Sequence, residues 1–493
     1  MPALTDDIIT RLNEHKELLE ALLISVNQRI SSGENKHIKI KKQGETVTWT
    51  LPYKKIKPDF NNPFYDKLPQ IKIIDLLAFV DALCNFTSAF SHIKTHGSSN
   101  IVDYEYILAC ILADATGMGI YKMSESSNLN YNKLSTIHNS RIRLETLVEA
   151  NNILIAALEK LPIFEYYNIN DALHGAPDGL KADVKLQTFK SRYLRKYFKE
   201  KGVSSYTMVV NNIAISSRII NSHESHFLFD ILHNNTSSVR PTIISTDTEG
   251  SNNLNDALLE LIKVLFAPHY KSIARKAKTI GTFSELKQYK DCIIKPHHKF
   301  KENLIIEEWP NIQKIYVALL AGDQTQSTIV KKLSSHQRKD RTKDALWEYN
   351  SILRSIYLLW YIDDATLRRS VRTALNRTEG YHQLERALVN VGGGKLRGKS
   401  DIELSIWNEC TRLVANAIIY YNSYLLSQFL VNKGQNLNKE EKKLLKRISP
   451  IAWQHILFSG NYDFSFTNRV NIRDMLATIK KCFEDELSKT KKK

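Results

Sequence analysis

Three acidic residues have the side-chain type and the settings to hold hard divalent cations: Asp178, Asp247 and Glu379. Asp247 closes a short β-prone run, Pro241-Thr-Ile-Ile-Ser-Thr-Asp247. A turn-forming stretch follows, and then apolar residues at helical spacing, Leu254, Leu258, Leu259, Ile262 and Leu265. The pattern reads as strand, carboxylate, turn, helix. A carboxylate at the C-terminal end of a strand is held by rigid backbone, at the place where α/β sheets present ligands. Asp178 falls in a strand-like segment and Glu379 in a helical one, so the three meet only if the fold brings three elements together. Carboxylates gathered in this way can hold two divalent cations, which activate a water or hydroxyl and stabilise the leaving oxygen of a phosphodiester. Magnesium prefers oxygen ligands and keeps several waters, so three acids suffice as an incomplete cage. Each acid alone also has a plainer reading: Asp178-Gly179 as a turn, Asp247 as a cap or turn former, Glu379 as a solvated helical residue.

The elements that must position these acids come from a chain of 493 residues, long enough for two or more domains. Apolar residues make up 43% of it, enough for globular cores, and glycine (18) and proline (12) are sparse, which favours long helices. The expected class is mixed α/β, predominantly helical. Residues 6–30 carry an amphipathic helical pattern (Ile9, Leu12, Leu19, Leu22, Leu23, Val26), and 33–58 suggest a short hairpin. From Ile74 to about Leu161 the chain reads as helical, between about 175 and 300 strands and helices mix, and from 303 onward helices return, broken at Gly392-Gly393-Gly394. Leu413 to Val431 contains no charged residue and approaches bilayer-spanning length. Asn416, Asn422, Ser423, Ser427 and Gln428 interrupt it, so a buried helix is the better reading and no membrane partner is expected. The five cysteines show no zinc spacing, and their odd number fits a reducing compartment. The charged, amphipathic N-terminus is not a signal peptide.

Six ordered blocks over about residues 45–465 resemble the replicative DDE transposases of the Tn3 family, in their C-terminal catalytic half. They are Trp49-Thr-Leu-Pro52 with LPQIKIIDLLAFVD; LADATGMGIYKMSE (112–125); APDGLK (176–181) against "SSDGQRF"; STDTEG (245–250) against "YTDTxG"; LRRSVRTALNRTEGYHQLERAL (367–388) against "LRRRVQAGLNKGEARNALARAV"; and SPIAWQHILFSGNYDF (449–464) against "SPLGWEHINLTGDYVW". The resemblance implies that Asp178, Asp247 and Glu379 are the catalytic, metal-binding acids, with two Mg2+ (or Mn2+) ions. It also implies a ribonuclease-H-like core split by a helical insertion. The expected parts are an N-terminal helix and basic segment (1–45), a helical domain (46–170), the first part of the core (171–300), the insertion (301–366), the second part with the catalytic Glu (367–435), and a C-terminal helical region with a basic tail (436–493). Two departures stand out. Val210-Asn211-Asn212-Ile213 occupies the place of the family's "SDQH", although Tyr206 and Thr207 are retained, and the chain starts at Met1 without the family's N-terminal end-recognition region. A split, truncated or separately encoded catalytic half is the expectation, with a separate N-terminal half as a partner and a homodimer as the assembly.

A formal charge of +17 and a pI of about 9.3 point to a polyanionic partner, with nucleic acid first. Arg192, Arg195, Lys196 and Lys199 recur at helical spacing among aromatic residues; Arg275 and Lys276 belong to a second cluster, and Lys331 to Lys343 form a third. Arg368, Arg369 and Arg386 flank the Glu379 block. Such residues contact phosphates and supply affinity rather than sequence reading. Around Glu379, Asn376, His382 and Gln383 share its helical face, whereas Glu385 does not; Asp183 lies on the opposite side of the strand from Asp178. The expected activity is metal-dependent nicking at transposon ends and 3′-hydroxyl strand transfer into target DNA, in a bacterial cytoplasm (nucleoid). The alternative is a catalytically silent, truncated fragment acting as a DNA-binding or inhibitory partner.

Overall fold

The computed structural model describes residues 7–491 apart from 44–45, 53–62, 95–102, 185, 187, 189, 194–200, 336–339, 397, 435–436 and 467–469. In chain order the strands are β1 (Lys39–Gln43), β2 (Thr46–Thr50), β3 (Ile71–Lys72), β4 (His174–Asp183), β5 (Arg192–Tyr193), β6 (Lys201–Val210), β7 (Ile213–Ile220), β8 (Ile243–Ile244), β9 (Leu265–Phe266), β10 (Gly281–Thr282), β11 (His298–Lys299) and β12 (Ile456–Leu457). Helices carry most of the chain, so the fold is mixed α/β with small sheets, as expected. Two compact units divide it: Met1–Lys57 with Ser222–Asn234 and Pro241–Leu375, and Pro58–Asn221 with Asn235–Arg240 and Asn376–Lys493.

In the first unit the Ile8–Ser31 helix starts at Asp7, whose carboxylate accepts from the Thr10 amide at 3.2 Å and caps the helix. Leu12, Leu19, Leu23 and Val26 line one face and are buried. They share a core with Trp309, Ile312 and Tyr316 of the Glu302–Leu320 helix and with Tyr349, Ile352 and Ile356 of the Arg341–Asp363 helix. The segment around Asp247 runs strand, carboxylate, turn and helix as its sequence predicts, except that Leu265, read as helical, opens a strand because the helix ends at Leu261. β8 runs parallel to β9, Ile243 opposite Leu265 and Ile244 opposite Phe266, and the Asn255–Leu261 helix makes the crossover. A buried ion pair, Asp256–Arg354 at 3.0 Å, ties that helix to the Arg341–Asp363 helix. Asn350 reinforces the tie, donating to Asp256 at 3.0 Å and accepting from the Ala257 amide at 3.1 Å.

In the second unit β6 pairs antiparallel with β4 along one edge and with β7 along the other, and β5 pairs with the start of β6 on the β7 edge. Asn211 and Asn212 join β6 to β7 with φ of 46° and 74°, and Val210 pairs with Ile213. A two-residue hairpin loop needs left-handed backbone at both central positions, which asparagine tolerates best after glycine. The Val210–Ile213 departure noted in the sequence is therefore a hairpin turn. Arg192 and Tyr193 are extended and pair with Gly202 and Lys201, where the basic spacing suggested a helix. Arg195, Lys196 and Lys199 lie outside the described residues.

The apolar run at 413–431 belongs to the Asp401–Lys433 helix, which is buried along most of its length. Among its polar interruptions, the Ser427 hydroxyl accepts from the Ile163 amide at 3.3 Å, and two asparagines pair with backbone. Asn416 accepts from the Ala214 amide at 3.1 Å and donates to the Ala214 carbonyl at 2.9 Å; Asn422 donates to the Pro450 and Ala452 carbonyls at 2.8 and 2.9 Å. Side-chain amides whose N–H groups bond protein backbone suit a core helix, whereas lipid offers them no acceptor. Among the described residues no helix is long and apolar enough to cross a membrane.

Candidate active site

The Ala365–Asn390 helix carries Glu379, and a hydroxyl docks that part of it onto β4. Thr378 is fully buried, and its Oγ1 donates to the Ala176 carbonyl at 2.8 Å. The neighbouring Arg377 donates to Asn211 Oδ1 at 3.4 Å and lies 5.9 Å from the Tyr167 ring centroid, so the same turn of helix also grips the β6–β7 hairpin. Burial pushes the Arg377 guanidinium down to about 10. Two residues beyond Ala176, Asp178 stands half-exposed on β4, opposite Thr207 of β6, with its Oδ1 accepting from the Gly179 amide at 2.9 Å.

This docking places an acid of the strand against the helix face that holds Glu379. Asp178, Glu379 and His382 offer ligand atoms that all lie within 4.8 Å of one another. Opposed oxygen ligands of one magnesium ion stand about 4.2 Å apart, twice the usual metal–oxygen distance of about 2.1 Å. The spacing of these atoms is close to that of ligands around one ion, and their donor types suit a divalent metal. Glu379 also has organic partners: Arg386 Nη1 lies 3.4 Å from its Oε1, and Gln383 Nε2 donates to the same oxygen at 3.4 Å. Of the face predicted around Glu379, His382 and Gln383 turn toward the acid, and Arg386, a turn further on, joins them.

His382 is the residue the sequence reading noted but gave no role. Its side chain is 1% exposed, its Nδ1 lies 3.7 Å from Asp178 Oδ2, and among the described residues neither ring nitrogen has a hydrogen-bond partner. Burial, with Arg386 nearby, pushes the imidazole down to about 3, so the ring is neutral. Glu385 also differs from a surface neighbour. It is 1% exposed, and burial pushes its carboxyl up to about 8 against the pull of Arg386, Tyr381 and Arg412.

Asp247 stands in the first unit, just past β8. Ser245 and Thr246 are buried, and the Ser245 hydroxyl donates to the Ala267 carbonyl at 2.8 Å, so the strand end is anchored. Asp247 Oδ1 then accepts from the Glu249 and Gly250 amides, both at 2.9 Å, and shapes the turn. Gly250 folds back so closely that a Cβ there would sit 2.5 Å from Thr246 Cβ, which requires glycine. The turn into the next helix is held by Asn252, whose Oδ1 accepts from the Leu254 and Asn255 amides at 2.8 and 3.0 Å. Alongside the strand end, the His269 amide donates to the Thr246 carbonyl at 2.8 Å, and its Nδ1 meets the Tyr361 hydroxyl at 2.7 Å. Burial lowers the His269 pKa, helped by Arg372 and Lys271 and opposed by Asp247. No sequence spacing marked His269, because parallel pairing across a crossover brings it there.

The basic candidates divide by environment. Arg275, Arg369 and Arg386 are exposed. Lys276 is half-buried, its ammonium 5.5 Å from the Tyr270 ring centroid, and burial lowers its pKa. Arg368 is buried and donates through Nη1 to the Tyr361 and Ile362 carbonyls at 2.6 and 3.0 Å, so its guanidinium serves the end of the Arg341–Asp363 helix.

Comparison with known proteins returns one family and a consistent set of relatives. Residues 75–462 match the family model described as Tn3 transposase DDE domain. The transposase for transposon Tn3926 of Escherichia coli is 28% identical over 474 residues, which cover 93% of this chain and 47% of that protein. The transposase for transposon Tn501 of Pseudomonas aeruginosa is 28% identical over 482 residues, 93% of this chain and 46% of the relative. That for transposon Tn1546 of Enterococcus faecium is 26% identical over 422 residues, covering 84% and 42% respectively. The chain spans about half the length of the curated relatives it matches.

Proposed function

This chain belongs to the Tn3 transposase family, and on that premise we propose that it nicks DNA at transposon ends and joins the freed 3′-hydroxyl to target DNA. The observation that carries the proposal is the meeting of Asp178 and Glu379, two acids distant in sequence, with ligand atoms within 4.8 Å. Asp247 is the third acid on the strength of the family pattern and of its anchored place at a strand end. Two Mg2+ or Mn2+ ions bound by Asp178, Asp247 and Glu379 would supply Lewis-acid stabilisation of the charge that develops on the phosphodiester.

The chain's own residues do the positioning. The Thr378–Ala176 hydrogen bond locks the helix turn of Glu379 to the strand of Asp178. The Asx turn of Asp247, tightened by Gly250, holds that carboxylate without rotamer freedom. The first step breaks a P–O3′ bond by attack of water and leaves a 3′-hydroxyl and a 5′-phosphate. The second is attack by that 3′-hydroxyl on a target phosphodiester, which forms one P–O bond and breaks another. Neither step forms a covalent bond to the protein. The surrounding core is ribonuclease-H-like on this reading, built from residues 171–300 and 367–435 around the 301–366 insertion. DNA is the partner, contacted through exposed basic residues such as Arg275 and Arg369. A second copy of the chain completes the assembly in the bacterial nucleoid.

The test is cleavage and strand transfer on pre-nicked end DNA, with an N-terminal transposase portion supplied in trans. Asp178→Ala, Asp247→Ala and Glu379→Ala are each expected to abolish both steps, Asp183→Ala to retain them, and EDTA to stop them. Cleavage that persists in EDTA, or in the Glu379→Ala variant, refutes the assignment. A wild-type chain that binds DNA without cutting under these conditions is instead the silent partner.

A further inference from the structure

We propose that His382 is a nitrogen ligand of the ion held by Asp178 and Glu379, and that it biases this site toward Mn2+ and Co2+ over Mg2+. The inference rests on the metal-dependent reading above and adds a residue and an ion preference to it.

Three observations carry it. The ring is 1% exposed, yet among the described residues neither nitrogen has a hydrogen-bond partner. A buried polar group left unpaired is costly, so a ring in this position calls for a partner that the described protein atoms do not supply. Nδ1 faces Asp178 Oδ2 at 3.7 Å, too long for a hydrogen bond but within the span of two ligands on one ion. Finally, Glu379-Gly380-Tyr381-His382 is a Glu-x-x-His sequence on a continuous helix, and that spacing projects a carboxylate and an imidazole from one face onto a common metal. Two carboxylates alone would suit magnesium. An imidazole in the set favours ions later in the divalent series, because nitrogen donors bind them more tightly.

The experiment uses the full chain and Mn2+ alone as the probe, without DNA. Pulsed electron paramagnetic resonance is expected to show nitrogen coupling to bound Mn2+, changed in pattern when the protein carries 15N-histidine and absent in His382→Gln. Titration calorimetry is expected to show Mn2+ affinity falling by about tenfold or more in His382→Gln, with a smaller change for Mg2+. The isotope arm needs no variant, so a His382→Gln chain that fails to fold does not remove the test. Bound Mn2+ without histidine coupling, or coupling that survives in His382→Gln, overturns the inference; if Asp178→Ala still weakens Mn2+ binding, the metal-site reading stands without it. Unchanged Mn2+ binding in both Asp178→Ala and Glu379→Ala overturns that reading and the inference together.

Discussion

Replacing Glu385 by glutamine should stabilise the protein, and increasingly so as pH rises. The side chain is 1% exposed, and its carboxyl titrates at about 8 in the folded chain against an ordinary 4.5. Because the folded value is the higher one, the folded state holds a proton that the unfolded chain releases. The contribution to stability is complete below pH 4.5 and is lost as pH climbs toward 8. At about 1.4 kcal/mol per unit, the loss amounts to roughly 3 kcal/mol at pH 7 and roughly 4 kcal/mol at pH 8. Glutamine has nearly the same shape and no proton to release, so Glu385→Gln should match the wild type near pH 4 and exceed it by a margin that widens by roughly 3 kcal/mol between pH 5 and pH 8. Urea denaturation at a series of pH values measures this directly. A stability gap independent of pH, or a glutamine variant less stable at pH 8, would show that Glu385 is ionised in the fold, and the reasoning would fail.

Thr378→Val removes the hydroxyl that donates to Ala176 while keeping the shape. It should lower stability by about 1 kcal/mol but slow cleavage by roughly tenfold or more, read in single-turnover assays, because Glu379 loses its register on Asp178. Equal, small effects on both would leave Thr378 a packing residue. Asp256→Ala strands the buried Arg354 and should cost about 3–5 kcal/mol, whereas Asp256→Leu combined with Arg354→Met should recover most of it in thermal melts. Arg275→Ala and Arg369→Ala should each flatten the salt dependence of DNA binding by about one unit of slope. Arg368→Ala should leave that slope unchanged and lower the melting temperature instead, since its guanidinium serves two helix carbonyls.

Much of this chain was legible where the cause is local. The strand, carboxylate, turn and helix around Asp247 follow from β-prone residues, Asx chemistry and apolar spacing, each acting over a few residues. The Ile8–Ser31 helix follows from its periodicity and the Asp7 cap. The run at 413–431 declared itself a core helix by its asparagines, although their partners Ala214, Pro450 and Ala452 lie far off in the sequence. Asn211-Asn212, read as a departure from a pattern, is a turn by its own backbone preference. What the sequence could not decide is burial at single positions, because burial is set by residues hundreds of places away. Charge type alone made Arg368 a DNA contact and Glu385 a bystander, but packing turned the first into a cap for helix carbonyls and the second into a protonated core residue. The helical rule placed His382 beside Glu379. The docking of that helix on β4, through Thr378 and Ala176, sets the buried ring against Asp178, where among the described residues its nitrogens have no partner.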